Sequence, residues 1–553
     1  MSSNRVSGAE ALVNSLTHQG VRHVFGIPGT HVLSIYKELA KHREIKHVLA
    51  KFEPGAGFMA DGYGRSTGVP GVTVVTAGPG ALGLAVATAQ ARVEGAPMVI
   101  LAGQTPMRTR GKGYYHETPD YDAILSTFKS LAKWAARAES PEQVPRLVAR
   151  AFRRSVEGKP GPVYLELPKD VLESEGEWYG YRVEQPTKYR ADVSQAASLM
   201  LSSSSPVILA GGGVIRARAQ DKLAELAEKL EIPVVTTISG KGSLPPDHPF
   251  LGGVGAGAFG DPDAVRLVEE SDLVIAIGTR LPELGTGGWS LKIRGRLIQV
   301  DVDPDSMSQV YRPDLFLVGD ARAFLEDLVN SLRGVKSFGG KERIEKARKE
   351  VEDVKPIGYD ESKVNPDDVI DAVGSILEPG AVITCDAGSN QVASFRIRVP
   401  AGGTYINPTG FTSMGYAIPA AIGAKVSHPE SQVVALTGDA AFHMTGFELA
   451  AAADNGIPIA VILFDDGLQN VLRMQQMFLY GGETYETYVH NTDYCGLANS
   501  LGVQCVKVEE RRVLKDSVSQ CLNSKTPCLV DVKVNPNAIP IPLSRYFAAK
   551  SRP

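Results

Sequence analysis

The chain has 553 residues, too many for one hydrophobic core, so about three or four domains are expected. Its 58 Lys and Arg nearly offset 62 Asp and Glu, which removes the electrostatic case for a nucleic-acid partner or a membrane surface. No apolar run reaches the roughly 18 residues that span a bilayer, and the N-terminus lacks a signal-peptide core, so a cytoplasmic location is expected. The five cysteines, Cys385, Cys495, Cys505, Cys521 and Cys528, have no CxxC spacing and read as reduced, mostly buried thiols without zinc.

In chain order, residues 7–20 read as a helix, with Ser7 as cap, Glu10 at the capping-box position and Gly20 as the stop. Residues 21–25 form a strand closing at Gly26-Ile27-Pro28-Gly29-Thr30-His31. The strand at 47–50 ends at Lys51-Phe52-Glu53. The helix at 55–65 is rich in small residues, which let another surface approach closely. Further strands at 72–76 and 98–103 continue a βα alternation to about residue 175, the pattern of a mostly parallel, doubly wound sheet.

A second unit begins near 190, after the polar stretch 173–188, with strands at 206–210, 233–237, 273–278 and 297–302. The triplet Gly211-Gly212-Gly213 follows a strand but completes no GxGxxG, which makes a nicotinamide dehydrogenase the remote reading. The charged residues 341–355 read as an exposed linking helix. A third unit starts near Asn365. Its strand at 381–385 ends at Asp386-Ala387-Gly388-Ser389-Asn390, its last strand lies at 527–532, and the basic, proline-bearing tail reads as a surface extension.

The organising stretch is a strand at 433–437, a break at Gly438-Asp439-Ala440-Ala441-Phe442, a helix stopped by Asn455-Gly456, and a strand at 457–464 ending in Asp465-Asp466-Gly467-Leu468. Parallel strands joined by a helix put both ends on one edge of the sheet, so Asp439 and Asp466 are expected to meet there. Paired oxygen ligands beside a helix N-terminus suit Mg²⁺ on a diphosphate; the alternative is two solvated loop aspartates. Glu53 stands at a comparable junction. Buried there, its carboxyl would have a raised pKa and could trade a proton with a ring nitrogen; otherwise it is a helix N-terminal acid stabilised by the dipole.

Gly26-Ile27-Pro28-Gly29, Glu53 before the 55–65 helix, and Thr76-Ala77-Gly78-Pro79-Gly80 resemble the pyrimidine-binding domain of thiamine diphosphate enzymes. Gly438 to Phe442 with Asp465-Asp466 resembles their diphosphate-binding motif. Within that family the chain is most similar to the acetolactate synthase large-subunit group, supported by residues 415–425 and Phe478-Leu479-Tyr480-Gly481-Gly482. The resemblance implies three doubly wound parallel-sheet α/β domains: pyrimidine-binding at 1–175, a central Rossmann-like domain at 190–335 and diphosphate-binding at 363–535, followed by an extension at 536–553.

It also implies roles. Glu53 protonates the aminopyrimidine, in a low dielectric supplied by Phe52 and Phe58. Met414 props the bent cofactor, with the backbone near Thr412 against the same ring. Gly388, Ser389, Asn390, Gly438, Asp439, Ala440 and Ala441 hold the diphosphate. Asp439, Asp466 and the Leu468 carbonyl bind Mg²⁺ or another divalent cation, Asp466 standing where the family usually has Asn. His31 and His116 face the substrate, and Asn470, Val471 and Gln475 line its pocket. Gly211 to Gly213, Arg280 and Thr286-Gly287 resemble FAD contacts, while Leu284 and Gln475 depart from the group's Arg and Trp, so FAD is an open expectation.

The implied reaction is decarboxylation of a small 2-oxo acid with carboligation to a second carbonyl. The alternatives are a decarboxylase releasing an aldehyde, a benzaldehyde-lyase-like carboligase acting on aldehydes, and a non-catalytic relative. The resemblance further implies a homodimer or homotetramer with active sites between subunits.

Overall fold

A computed structural model of the chain describes residues 5–181, 188–332 and 337–550. Part of the polar stretch 173–188 and the last three residues of the tail lie outside the described residues. Three six-stranded sheets, every pairing parallel, carry the architecture. The first contains His23–Gly26, Lys46–Leu49, Gly71–Val75, Met98–Gln104, Trp134–Arg137 and Pro162–Pro168. The central sheet contains Pro206–Ala210, Val234–Thr236, Leu251–Val254, Leu273–Ile277, Arg296–Asp301 and Leu315–Val318. The third contains Val382–Cys385, Thr404–Ile406, Val433–Gly438, Ala460–Asp465, Gln504–Val508 and Cys528–Lys533. The expected α/β class with three doubly wound parallel sheets is what the chain forms.

Numbered within each unit, the first and third sheets share one strand order, 2-1-3-4-6-5. The central sheet runs 3-2-1-4-5-6, the order of dinucleotide-binding Rossmann sheets. The inner strands of each sheet are buried on both faces because helices cover both, so they read as continuous apolar runs such as Leu273–Ile277, while edge strands such as Lys46–Leu49 and Leu315–Val318 are partly exposed. Ser7 caps the first helix by accepting the Glu10 N–H at 3.1 Å.

The first and third units are joined by helix Glu53–Thr67 packed on helix Ala417–Ser427. The small residues of the former meet the small residues of the latter at backbone distance. A Cβ on Gly62 would strike the Ala420 carbonyl, and one on Gly423 would strike the Met59 carbonyl. Both helices follow the second strand of their sheet, so the contact joins equivalent elements.

Three expectations are corrected. Cys495 is bonded to Cys505 and Cys521 to Cys528, leaving Cys385 as the free thiol among the described residues. The reading of five reduced cysteines fails because the pairs are made by tertiary packing around two neighbouring strands, which sequence spacing does not display. The tail is no surface extension: Ile541–Lys550 is a helix whose Arg545 pairs with Asp261 and Asp353 and whose Tyr546 stacks on Phe259 at 4.6 Å. Its apolar side, Leu543 and Tyr546, outweighs the basic residues that suggested exposure. The charged stretch after residue 340 forms helix Gly340–Lys349, which buries Ile344 and Ala347 against helix Pro262–Glu269 and is exposed on its remaining side alone.

Candidate active site

The third sheet presents its acids at the ends of neighbouring strands. Asp439 opens helix Asp439–Thr445; its Oδ1 accepts the Ala440 N–H and its Oδ2 the Gly467 N–H, each at 2.7 Å. Asp439 is thereby tied to the loop that carries Asp466. The Asp466 carboxylate accepts from the Leu468 N–H at 3.0 Å and from Asn470 Nδ2 at 2.8 Å. Burial, then the neighbouring Asp439 charge, pushes Asp466 up to about 7, and burial lifts Asp439 to about 6.

Two carboxylates so placed resist carrying both charges until a cation neutralises them, which fits the implied metal. Among the described residues no cluster of three or more His, Cys, Asp or Glu surrounds them, so further ligands must be main-chain or exogenous oxygens. Leu468 meets Tyr488 in an antiparallel bridge whose hydrogen bonds use Gly467 O and Gln469 N, leaving the Leu468 carbonyl outside that pairing.

Next to this edge, Gly388 has φ 131°, and a Cβ there would lie 2.7 Å from Asn390 Oδ1. Asn390, buried, donates to the Asp386 and Leu436 carbonyls at 3.0 and 3.2 Å and fixes the turn that presents Ser389. The loop 410–416 is strained and pinned: Thr412, β-branched, holds φ +63°. Gly410 N donates to Glu94, Ser413 N to Gln90 at 3.3 Å and Tyr416 N to Asp386 at 2.5 Å, while the Gly415 carbonyl accepts from Thr445 at 2.7 Å. Met414 is half-buried in the middle of it.

Glu53 is the first residue of its helix and is half-buried rather than buried. Its side chain faces Gly80 and Gly83; a Cβ on Gly80 would make ordinary contact with Oε1 at 3.5 Å, whereas one on Gly83 would lie 2.9 Å from the Glu53 Cβ, so glycine at 83 is needed to admit it. Of the two expected apolar neighbours Phe58 is buried, but Phe52 is 54% exposed on this chain. The sequence reading missed Glu448, which accepts the Lys51 N–H at 3.1 Å and the Phe52 N–H at 3.0 Å. Burial pushes Glu448 up to about 7, helped by the nearby Glu53 charge. An acid partnered some 400 residues away leaves no local trace.

His31 is fully buried, with Nδ1 3.2 Å from Thr76 Oγ1, Nε2 unpartnered, and its ring stacked on His116 at 5.3 Å. Burial, reinforced by His116, lowers it to about 4, so His31 is neutral at physiological pH. His116 adopts φ +71° and also buries an unpartnered Nδ1. Asn470 is spent on Asp466 and the Pro536 carbonyl, Val471 is half-buried, and Gln475 is exposed.

A cavity of about 810 Å³ lies where the three units meet, lined by Gly212, Gly213, Arg216, Arg280, Arg65 and Asp301 among others. Leu284 packs partly buried against the core of the third unit, and the Thr286 hydroxyl is bonded to the Pro282 carbonyl.

Three family models match in series: the thiamine pyrophosphate enzyme N-terminal TPP binding domain at residues 6–124, the central domain at 193–328 and the C-terminal TPP binding domain at 386–532. The chain belongs to the thiamine pyrophosphate enzyme family. Its curated relatives include a "Probable acetolactate synthase large subunit" of Methanocaldococcus jannaschii, 33% identical over 97% of this chain and 93% of the relative. An acetolactate synthase of Mycobacterium bovis is 34% identical over 97% and 89%. The acetolactate synthase large subunit of Corynebacterium glutamicum is 32% identical over 97% and 88%. As a thiamine pyrophosphate enzyme, the chain carries its two TPP-binding matches on the two sheets of common strand order. No described helix is long and apolar enough to cross a membrane.

Proposed function

We propose that this chain is a metal-dependent thiamine diphosphate enzyme that decarboxylates a small 2-oxo acid and joins the remaining fragment to a second carbonyl, as in acetolactate formation. The observation that carries the reading is the Asp439–Asp466 pair, a buried and a half-buried carboxylate held at adjacent strand ends, with the Leu468 carbonyl left outside the local strand pairing. When bound, thiamine diphosphate supplies a nucleophilic ring carbon and an electron sink for the decarboxylation.

The chain's own residues then have distinct tasks. Asp439, Asp466 and the Leu468 carbonyl hold Mg²⁺ or a similar divalent ion. Gly388, Ser389, Asn390, Gly438, Ala440 and Ala441 offer the turn and helix-start backbone to a diphosphate. Met414 and Thr412, in the pinned loop, support the pyrimidine ring, and Glu53 exchanges a proton with its ring nitrogen. His31 and His116 line the substrate side, the neutral His31 as a hydrogen-bond partner; Asn470 holds Asp466 in place and Val471 stands next to it.

Leu49, Phe52, Leu82, Phe411, Met444 and Phe447 are exposed apolar residues around these two edges. We assign them to a homodimer, or a homotetramer built as a dimer of dimers, in which Glu53 of one copy serves the acids of the other. The cavity is assigned to FAD: Arg216, Arg280 and Arg65 suit its diphosphate, and Asp301, at the end of the fifth central strand, suits a ribose. A yellow protein with flavin absorbance supports that assignment, and colourless protein that gains none with added FAD refutes it. The expected cytoplasmic location is kept on the small-metabolite chemistry alone, since four cysteines are paired.

Incubation with pyruvate, thiamine diphosphate and Mg²⁺ tests the whole reading. Acetolactate is the expected product. Free acetaldehyde without acetolactate makes the chain a simple decarboxylase, and turnover of aldehydes alone makes it a benzaldehyde-lyase-like carboligase.

A further inference from the structure

Asp386 has no task in the reaction just described, yet it is a buried acid near the site whose oxygens are all engaged. It is 1% exposed and closes strand Val382–Cys385. Its three acceptor oxygens go to three different segments. Oδ1 accepts the Tyr416 N–H at 2.5 Å, two residues after Met414. Oδ2 accepts the Thr437 hydroxyl at 2.7 Å, two residues before Asp439. The main-chain carbonyl accepts from Asn390 Nδ2 at 3.0 Å, beside the Gly388 turn.

Those segments are the ones assigned above to the pyrimidine ring, the metal and the diphosphate. The ring-supporting loop cannot find this geometry by local preference. Thr412 is held at positive φ, and Gly415 at φ +76° packs against Met444 and Thr445. Thr445, on the helix that Asp439 opens, clamps the Gly415 carbonyl on one side, and Asp386 clamps the next N–H on the other. A strained loop held between two anchors keeps its position relative to both, and both anchors belong to the diphosphate and metal segments. Burial makes the Asp386 contacts strong and makes an unpaired Tyr416 N–H costly.

We infer that Asp386 is a positioning residue that registers the Met414 loop against the diphosphate and metal loops, so that one rigid frame grips both ends of the cofactor. The inference rests on the proposed thiamine diphosphate chemistry. It goes beyond it in assigning a task to a side chain outside the residues proposed to hold the cofactor.

The test compares two probes on the full-length chain by titration calorimetry: Mg²⁺-thiamine diphosphate, which needs the register, and Mg²⁺-pyrophosphate, which needs the diphosphate and metal loops alone. In Asp386→Ala the affinity for thiamine diphosphate is expected to fall about tenfold or more, while that for pyrophosphate changes far less. Asp386→Asn, which keeps an acceptor toward Tyr416, restores most of the loss. The ratio of the two affinities is the readout, because a general loss of stability lowers both together. A ratio in Asp386→Ala equal to that of the unmodified chain overturns the inference; where Asp386→Ala binds neither probe, Asp386→Asn decides, and an equal loss of both affinities in it overturns the inference as well. If the unmodified chain binds pyrophosphate but not thiamine diphosphate, the proposed function itself fails and the inference with it.

Discussion

The first and third sheets share the strand order 2-1-3-4-6-5, and what separates them is the residue that follows each strand. In the third sheet the first, third and fourth strands are followed by, or end at, acids: Asp386 after Cys385, Asp439 after Gly438, Asp466 after Asp465. In the first sheet the same three positions carry Ile27, Thr76 and Thr105, and the acid comes after the second strand, as Glu53. One backbone therefore serves two chemistries. On the proposed reading, acids on the adjacent third and fourth strand ends would gather a cation and its diphosphate, whereas neutral ends around a single acid would suit an uncharged ring that needs one proton moved. Function resides in the loops that the common sheet presents.

The largest effect expected from breaking this division is on turnover. Glu53→Gln keeps the shape of the first edge and removes its proton donor. We expect kcat to fall by about 10²–10⁴ with thiamine diphosphate affinity nearly unchanged, measured by steady-state kinetics beside a cofactor titration. Undiminished turnover would remove Glu53 from the chemistry. Asp439→Ala addresses the other edge and should show the opposite split. Mg²⁺-dependent cofactor binding weakens by about 10²–10³, because one of two neighbouring carboxylates is gone and the Gly467 N–H loses its acceptor. If that variant keeps its affinity and loses kcat alone, the two edges do not divide binding from chemistry.

The third test concerns the helices that follow the second strand of each sheet. Gly62 and Gly423 allow them to touch at backbone distance. Gly62→Ala places a methyl group against the Ala420 carbonyl, with backbone rather than a flexible side chain to move, and a loss of about 3 kcal/mol is expected in denaturant unfolding. An unchanged midpoint would mean that the two units separate at little cost.

Much of the placement of these acids is legible in the chain because it is local. Asp439 and Asp466 each follow an apolar run, Glu53 precedes a helix of small residues, and strand–turn–helix punctuation places all three on sheet edges. The small residues at 55–65 also announced a close neighbour, which proves to be the helix at 417–427. The unread part is long-range. Glu448 meets Lys51 across 397 positions and Asp61 meets Tyr416 across 355. Strand Pro162–Pro168 was missed because prolines bound it and Glu166 interrupts its apolar run, a charge that the fold pairs with Arg137. The cysteine pairs, 10 and 7 positions apart, depend on how two strands and their helices pack.

Asp61 gives the smallest and most specific prediction, because it lies in the seam that holds the two equivalent helices together. It is fully buried, its Oδ1 accepts from the Tyr416 hydroxyl, Arg65 stands 4.0 Å away, and Oδ2 has no partner. Burial raises its pKa from 3.8 to about 6, against the pull of Arg65 and Tyr416. A carboxyl raised in the folded state contributes stability that is fully present below the unfolded value of 3.8 and is lost as pH rises through about 6. Asparagine keeps an acceptor for Tyr416 and cannot ionise. Asp61→Asn should therefore match the unmodified chain near pH 4 and become progressively more stable relative to it up to about pH 7, by about 2–3 kcal/mol, with no further change above. Unfolding midpoints measured across that range check it. A difference independent of pH would mean that Asp61 stays ionised in the fold and that Arg65, rather than the proton, balances the seam.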